Sequence, residues 1–179
     1  MQLKIHTSDT APERSVPILD GIATDVGFVP NLAAAIAESP TLLAAFDGMR
    51  RAVGACDIEA VHREVAGLAV GVEVDNEYGV AFHSTVLGML GVADDEIERM
   101  RASEPPTDAR AAAVYAFAQA LVRERGKLDV DQMTVAGFSS AEVLDVVAEC
   151  LFASLVGVVD NLVNRVELDA FLQPRAWTR

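Results

Sequence analysis

Between Asp57 and Val72, apolar side chains recur at Ile58, Val61, Val65, Leu68 and Val72, at spacings of 3, 4, 3 and 4. That rhythm buries one face of an α-helix and fits no strand. Asp57 is placed to cap it. Gly67 and Gly71 lie one turn apart and form a strip of small residues beside the apolar stripe. Glycine costs a helix stability, so two at this spacing predict a second helix in close approach.

The rest of the chain extends the helical reading. Residues 1–30 hold Pro12, Pro17 and Pro30 around one short apolar segment, Ile18 to Val26, and read as an irregular leader to a helical domain spanning 31–179. Asn31 is expected to cap a helix to Ala37, and Ser39-Pro40 to start one running to about Val53. A break at Asp75-Asn76 precedes a helix through Leu90, and Asp94-Asp95 opens a short charged one to Ala102. After the Glu104-Pro105-Pro106-Thr107 linker, Asp108 caps a long helix to about Arg125. A shorter helix follows Asp129, and Ser139 or Ser140 caps the last. No stretch alternates as a strand would. The expectation is one all-α domain of seven or eight helices.

Composition narrows the function. Hydrophobic residues make up 51% of the 179 and aromatics only 6%, which favours helices meeting through small side chains and a single sizeable core. A formal charge of −13 and a pI near 4.5 leave no basic face to displace counterions, so nucleic acid is excluded as a partner. The longest apolar run, 143–163, carries Asp145, Glu149 and Asp160, which reads as a buried or interface helix rather than a membrane span. The N-terminal residues lack a signal-peptide core. Cys56 and Cys150 are the only cysteines, with no metal-ligand spacing around them, so a cytoplasmic protein without a metal is expected.

Chemistry concentrates in Asn76-Glu77-Tyr78-Gly79-Val80-Ala81-Phe82-His83, with Glu64 twelve positions before Asn76. On a helix starting at Asn76, His83 shares a side with Val80, Leu87 and Leu90. Burial there favours neutral imidazole unless a carboxylate restores its charge. Glu64, at the edge of the preceding helix's stripe, is the candidate.

This spacing resembles the active-site signature of the alkylhydroperoxidase D-like (AhpD-like) / carboxymuconolactone decarboxylase superfamily: Glu, eleven residues, Cys-x-x-Cys, three residues, His. Asn76 and Gly79 stand at the two cysteine positions, and neither side chain can form a thiolate or a disulfide. Three further segments resemble the peroxidase-related branch: Gly27-Phe28-Val29-Pro30-Asn31-Leu32, Arg63-Glu64-Val65 and Asn161-Leu162-Val163-Asn164-Arg165. The resemblance covers most of the chain from Gly27 to Phe171. It implies an AhpD-like helical fold in which Glu64 and His83 approach each other near a helix start.

Without the sulfurs, a carboxylate–imidazole pair beside a helix N-terminus remains. It can move protons, and free amides at that terminus could hold an anionic group. The expected function is general acid–base chemistry (decarboxylation, isomerisation or elimination) on a small carboxylated or carbonyl metabolite, without cofactor. His83 and Glu64 would be catalytic. Tyr78, Asn76, Glu77 and Gly79 would contact substrate, and Glu149, inside an apolar helix, could be an additional acid. The alternatives are a non-catalytic oligomeric binding or scaffold protein and residual peroxidase-type antioxidant activity through Cys56. Self-association as a dimer, trimer or hexamer is expected from the long apolar helices and from the resemblance.

Overall fold

A computed structural model describes residues 3–179, so Met1 and Gln2 of the leader lie outside the described residues. The chain order is α1 (Val16–Val26), α2 (Asn31–Ile36), α3 (Pro40–Gly54), α4 (Ala60–Glu73), α5 (Glu77–Met89), α6 (Asp94–Arg101), α7 (Ala109–Arg123), α8 (Asp131–Val135) and α9 (Ser140–Leu162), with a final 3-10 turn at Gln173–Arg175. The described residues contain no strand.

Among the described residues each of the helical segments expected from the sequence is present, and α1 is a further helix. The leader is therefore less irregular than expected: Pro17 sits in the first turn of α1, where no amide donor is needed, and Leu19 and Ile22 are buried. They join a core with Leu32, Ile36, Leu43 and the C-terminal half of α9, so no structural boundary falls at residue 30.

Helix starts follow local chemistry. The Ser39 hydroxyl accepts from the Leu42 amide at 3.2 Å, and the Asp108 carboxylate from the Ala111 amide at 2.9 Å. At α9, Ser139 accepts from the Glu142 amide while Glu142 accepts from the Ser139 amide, a reciprocal capping box. Two expected caps are not used. Asp57 lies short of α4, whose cap position is Glu59. Asn31 is already helical, and its amide donates to Asp169 at 3.1 Å, because Pro30 occupies the extended position before it.

The amphipathic helix that dominates the sequence, α4, is also the centre of the molecule. It packs on α5, α7 and α9 and is buried along almost its whole length. The close approach predicted at Gly67 and Gly71 is made by α5. A Cβ at position 71 would lie 3.1 Å from a Val80 methyl, and one at position 67 would clash with the His83 ring.

Candidate functional site

Three helices deliver one titratable side chain each to a single buried point. From α5, the His83 Nδ1–H donates to Glu64 Oε2 on α4 at 2.8 Å, which fixes the proton on Nδ1. From α9, Glu149 Oε1 lies 3.7 Å from His83 Nε2. Glu64 is held from its other side by Arg63, whose Nε donates to Oε1 at 3.1 Å. Phe82 meets the imidazole edge-on at 5.3 Å. Ten per cent of the His83 side-chain surface remains exposed, less for either carboxylate.

Burial resists charge on all three groups, and the contacts decide the outcome. Burial pulls His83 down, but the hydrogen bond and charge of Glu64, aided by Glu149, outweigh it and hold the imidazole above its ordinary value. Burial likewise raises Glu64, yet His83 and Arg63 overcome it and keep that carboxyl low. Glu149 has no such relief. Burial, reinforced by the charge of Glu64, pushes it up to about 7 against the weaker pull of His83 and Arg63. Its Oε1 is buried with no hydrogen-bond partner, a costly arrangement for a carboxyl group. The array therefore sets an imidazole whose charged form is favoured between a carboxylate held low and one pushed up to about 7.

The remaining sequence candidates lie at the α4–α5 turn, and apart from the Asn76 Nδ2 their side-chain polar groups have partners within the protein. Asn76 caps α5, its Oδ1 accepting from the Gly79 amide at 3.0 Å, while its Nδ2 is buried without a partner. Gly79 leaves room for that side chain, since a Cβ there would lie 2.3 Å from Nδ2. Glu77 pairs with Arg165 at 3.4 Å. The buried Tyr78 hydroxyl donates to Asp169 at 2.5 Å, and its amide donates to the fully buried Asp160 at 3.5 Å. The start of α5 is thus supplied with the protein's own carboxylate. The open anion site expected there is already taken.

Sequence reasoning missed this supporting frame. Asp160 also accepts from the Val166 amide at 2.7 Å. Arg165 donates to the Asp75 carbonyl at 2.7 Å, and Asn161 to the Val74 carbonyl at 2.7 Å. The Asn161-to-Arg165 segment therefore straps the turn that precedes α5. The available signal was Asp160 itself, an acid inside an apolar helix. Nothing local marked Asp169.

Burial and then the Asp169 bond drive the Tyr78 phenol far above its ordinary value, so it acts only as a donor. Tyr78→Phe would leave a buried carboxylate oxygen short of that donor and should cost about 2 kcal/mol in urea unfolding. A cost of only a few tenths would show that the bond does not support the turn.

Two clefts lie elsewhere. One of about 380 Å³ among α4, α6 and α7 is lined by Val61, His62, Val65 and Met100, and one of about 390 Å³ between α7 and α9 by Leu121, Val122, Cys150 and Leu151. Neither is lined by Glu64, His83 or Glu149. Burial holds the His62 imidazole below its ordinary value, and the ring packs edge-on against Phe138. Burial raises the Cys150 thiol well above its ordinary range, which suits a core residue; Cys56 is partly exposed. Among the described residues no group of three or more His, Cys, Asp or Glu side chains could hold a metal ion, and no helix is long and apolar enough to cross a membrane.

The fold is AhpD-like. A peroxidase-related protein from Ralstonia eutropha JMP134, described as an alkylhydroperoxidase AhpD core, superposes with a TM-score of 0.82 at 18% identity, over 96% of this chain and 94% of that one. A peroxidase-related protein from Silicibacter sp. TM1040 gives 0.76 at 18% identity, over 95% and 91%. The debrominase Bmp8, solved as a cysteine-to-alanine variant with 2,3,4-tribromopyrrole, gives 0.77 at 17% identity, over 97% and 94%. No protein-family model matches the sequence, and no curated protein matches it significantly.

Proposed function

We propose that this protein performs cofactor-independent acid–base catalysis, by decarboxylation, isomerisation or elimination, on a small carboxylated or carbonyl metabolite. The observation that carries this reading is the unpartnered Oε1 of Glu149 beside the one nitrogen of His83 that Glu64 does not use. A side chain kept only for packing gains nothing from an unsatisfied carboxyl oxygen in a low-dielectric site, whereas proton transfer needs one free to act.

The roles follow from the protonation states. Glu64 orients the ring and supports its positive charge. Nε2–H is the donor, able to protonate a carbonyl oxygen or the carbanion left as carbon dioxide departs. Glu149, titrating near 7, is matched to accept a proton from carbon α to a carbonyl and return it later. The small-ring ligand of Bmp8 supports a small-molecule substrate in this fold.

A non-catalytic binding or scaffold role is the second reading, favoured by the small exposed fraction of His83 and by its absence from the lining of either cleft. The two are separated by thermal stabilisation of wild type and His83→Ala against unsaturated acids, lactones and keto acids. Acid–base catalysis requires at least one compound that stabilises wild type by a few degrees and leaves the variant unmoved. Compounds that stabilise both equally, or none, would favour the scaffold.

A further inference from the structure

The cleft among α4, α6 and α7 has no wall in common with the Glu64–His83–Glu149 array, and its lining carries chemistry of its own. Its walls are largely apolar, formed by Val61, Val65, Val92, Met100 and Ala111. At about 380 Å³ it falls within the size of small-molecule sites, roughly 300–1,000 Å³.

One polar group is built into this cleft rather than placed on its rim. The His62 side chain is only 8% exposed, and its ring packs edge-on against Phe138 with centroids 5.3 Å apart. The Arg110 guanidinium lies over that phenyl ring at 4.3 Å, so the support of His62 is itself held. His62 Nδ1 lies 3.3 Å from Glu59 Oε2, and a carboxylate there favours the tautomer with its proton on Nδ1. Burial keeps this imidazole below its ordinary value and therefore neutral near pH 7. Nε2 is then an acceptor with a free lone pair. Among the described residues it has no hydrogen-bond partner, and it is not sealed from solvent. A side chain this deeply buried meets solvent through the cleft it lines.

The other polar groups are already engaged, and they decide what is refused. Glu96 accepts from the Thr107 amide at 2.7 Å, and Asp108 from the Ala111 amide at 2.9 Å. Arg110 is shared between Phe138 and Glu142, the latter at 3.5 Å. Glu59, Glu96 and Asp108 thus outnumber the single guanidinium, and an anion would enter against net negative charge. A cation gains little either, because the carboxylate left for it, Glu59, is 69% exposed and screened by solvent. What remains complementary is an apolar body bearing one neutral hydrogen-bond donor.

We infer that this cleft is a ligand site separate from the Glu64–His83–Glu149 array, taking a small, uncharged, apolar hydroxyl compound whose O–H donates to His62 Nε2. Phenol is the simplest aromatic molecule of that class. The site stands whether or not the other array catalyses a reaction.

The test is a titration of the full chain, carbon-13-labelled at histidine, followed by NMR at the Cε1–H signals of His6, His62 and His83. The probes are phenol, toluene and benzoate. Phenol should move the His62 signal saturably, with a dissociation constant of about 1 mM. Toluene keeps the shape but leaves the buried acceptor unmatched, and should bind at least about fivefold more weakly. Benzoate should not compete with phenol. His62→Phe, which also assigns the signal, keeps a ring against Phe138 and removes the acceptor, so the preference for phenol over toluene should disappear. A His62 signal unmoved by phenol up to about 20 mM would overturn the site. Equal affinity for phenol and toluene in wild type would overturn the hydroxyl recognition, and this comparison decides even where the variant fails to fold. A response confined to His83 would overturn this site and place phenol at the other array.

Discussion

Gly67→Ala is expected to destabilise the protein by about 3 kcal/mol, roughly 6–12 °C in Tm, although alanine is the better helix former. A Cβ at this position would lie 2.1, 2.3 and 2.6 Å from Cε1, Nε2 and Nδ1 of His83. The ring cannot swing away cheaply, because Nδ1 is bonded to Glu64 and Phe82 stands against it. The added methyl must therefore break the Glu64 bond or push α4 and α5 apart, and either outcome strands a buried carboxylate. The cause is separable from a general intolerance of α4 by a double-mutant cycle. In a His83→Ala background the ring is gone, and Gly67→Ala should cost less than about 1 kcal/mol or stabilise through its helix propensity. An equal cost in both backgrounds would mean that the glycine serves some contact other than the imidazole.

Gly67 also shows how far the sequence could be read. Its spacing from Gly71 within an apolar stripe announced a close helix neighbour, since a repeated cost to helix stability demands a return. Which side chain approached was hidden, because that depends on the angle at which α5 returns across α4. The same limit explains the α4–α5 turn. Asn76 was legible as the residue at a helix break, but its role as an inward-facing cap on Gly79 depends on backbone geometry at the turn. Tyr78 had a hydroxyl to spare on paper, and only the long-range return of the chain at Asp169 shows that it is used. Short-range signals placed nearly every helix, because caps and periodicity act within a few residues. The partners of the Tyr78 amide and hydroxyl come from 82 and 91 positions away. No local pattern encodes them. The Glu64–His83 contact was expected only through the family resemblance, and its third member, Glu149, was visible solely as an acid in an apolar helix.

Glu149 sets the second large effect, and its sign is counterintuitive. A carboxyl held at about 7 when folded, against an ordinary value of 4.5, binds its proton more tightly in the native state. Between those values the folded protein therefore carries more protons than the unfolded chain, so stability falls as pH rises through this window. Below about 4.5 both states are protonated and nothing is lost; above about 7 the whole cost is present, about 3 kcal/mol on this shift. The partner groups act in other windows. Glu64, held low, contributes stability above its ordinary value that is lost as pH falls towards its folded value. His83, held high, contributes stability below its ordinary value that is lost as pH rises through its folded one. Glu149→Gln keeps the shape and removes the ionisation. Denaturant titrations from pH 4 to 8 should therefore show the variant close to wild type at the acid end and more stable by about 2–3 kcal/mol at pH 8. A carboxyl that weakens the protein at neutral pH, where glutamine would not, is the stability cost that the proposed acid–base role would account for. If the two curves instead run parallel across the range, Glu149 does not titrate between 4.5 and 7, and the base assigned to this site must be sought in another residue.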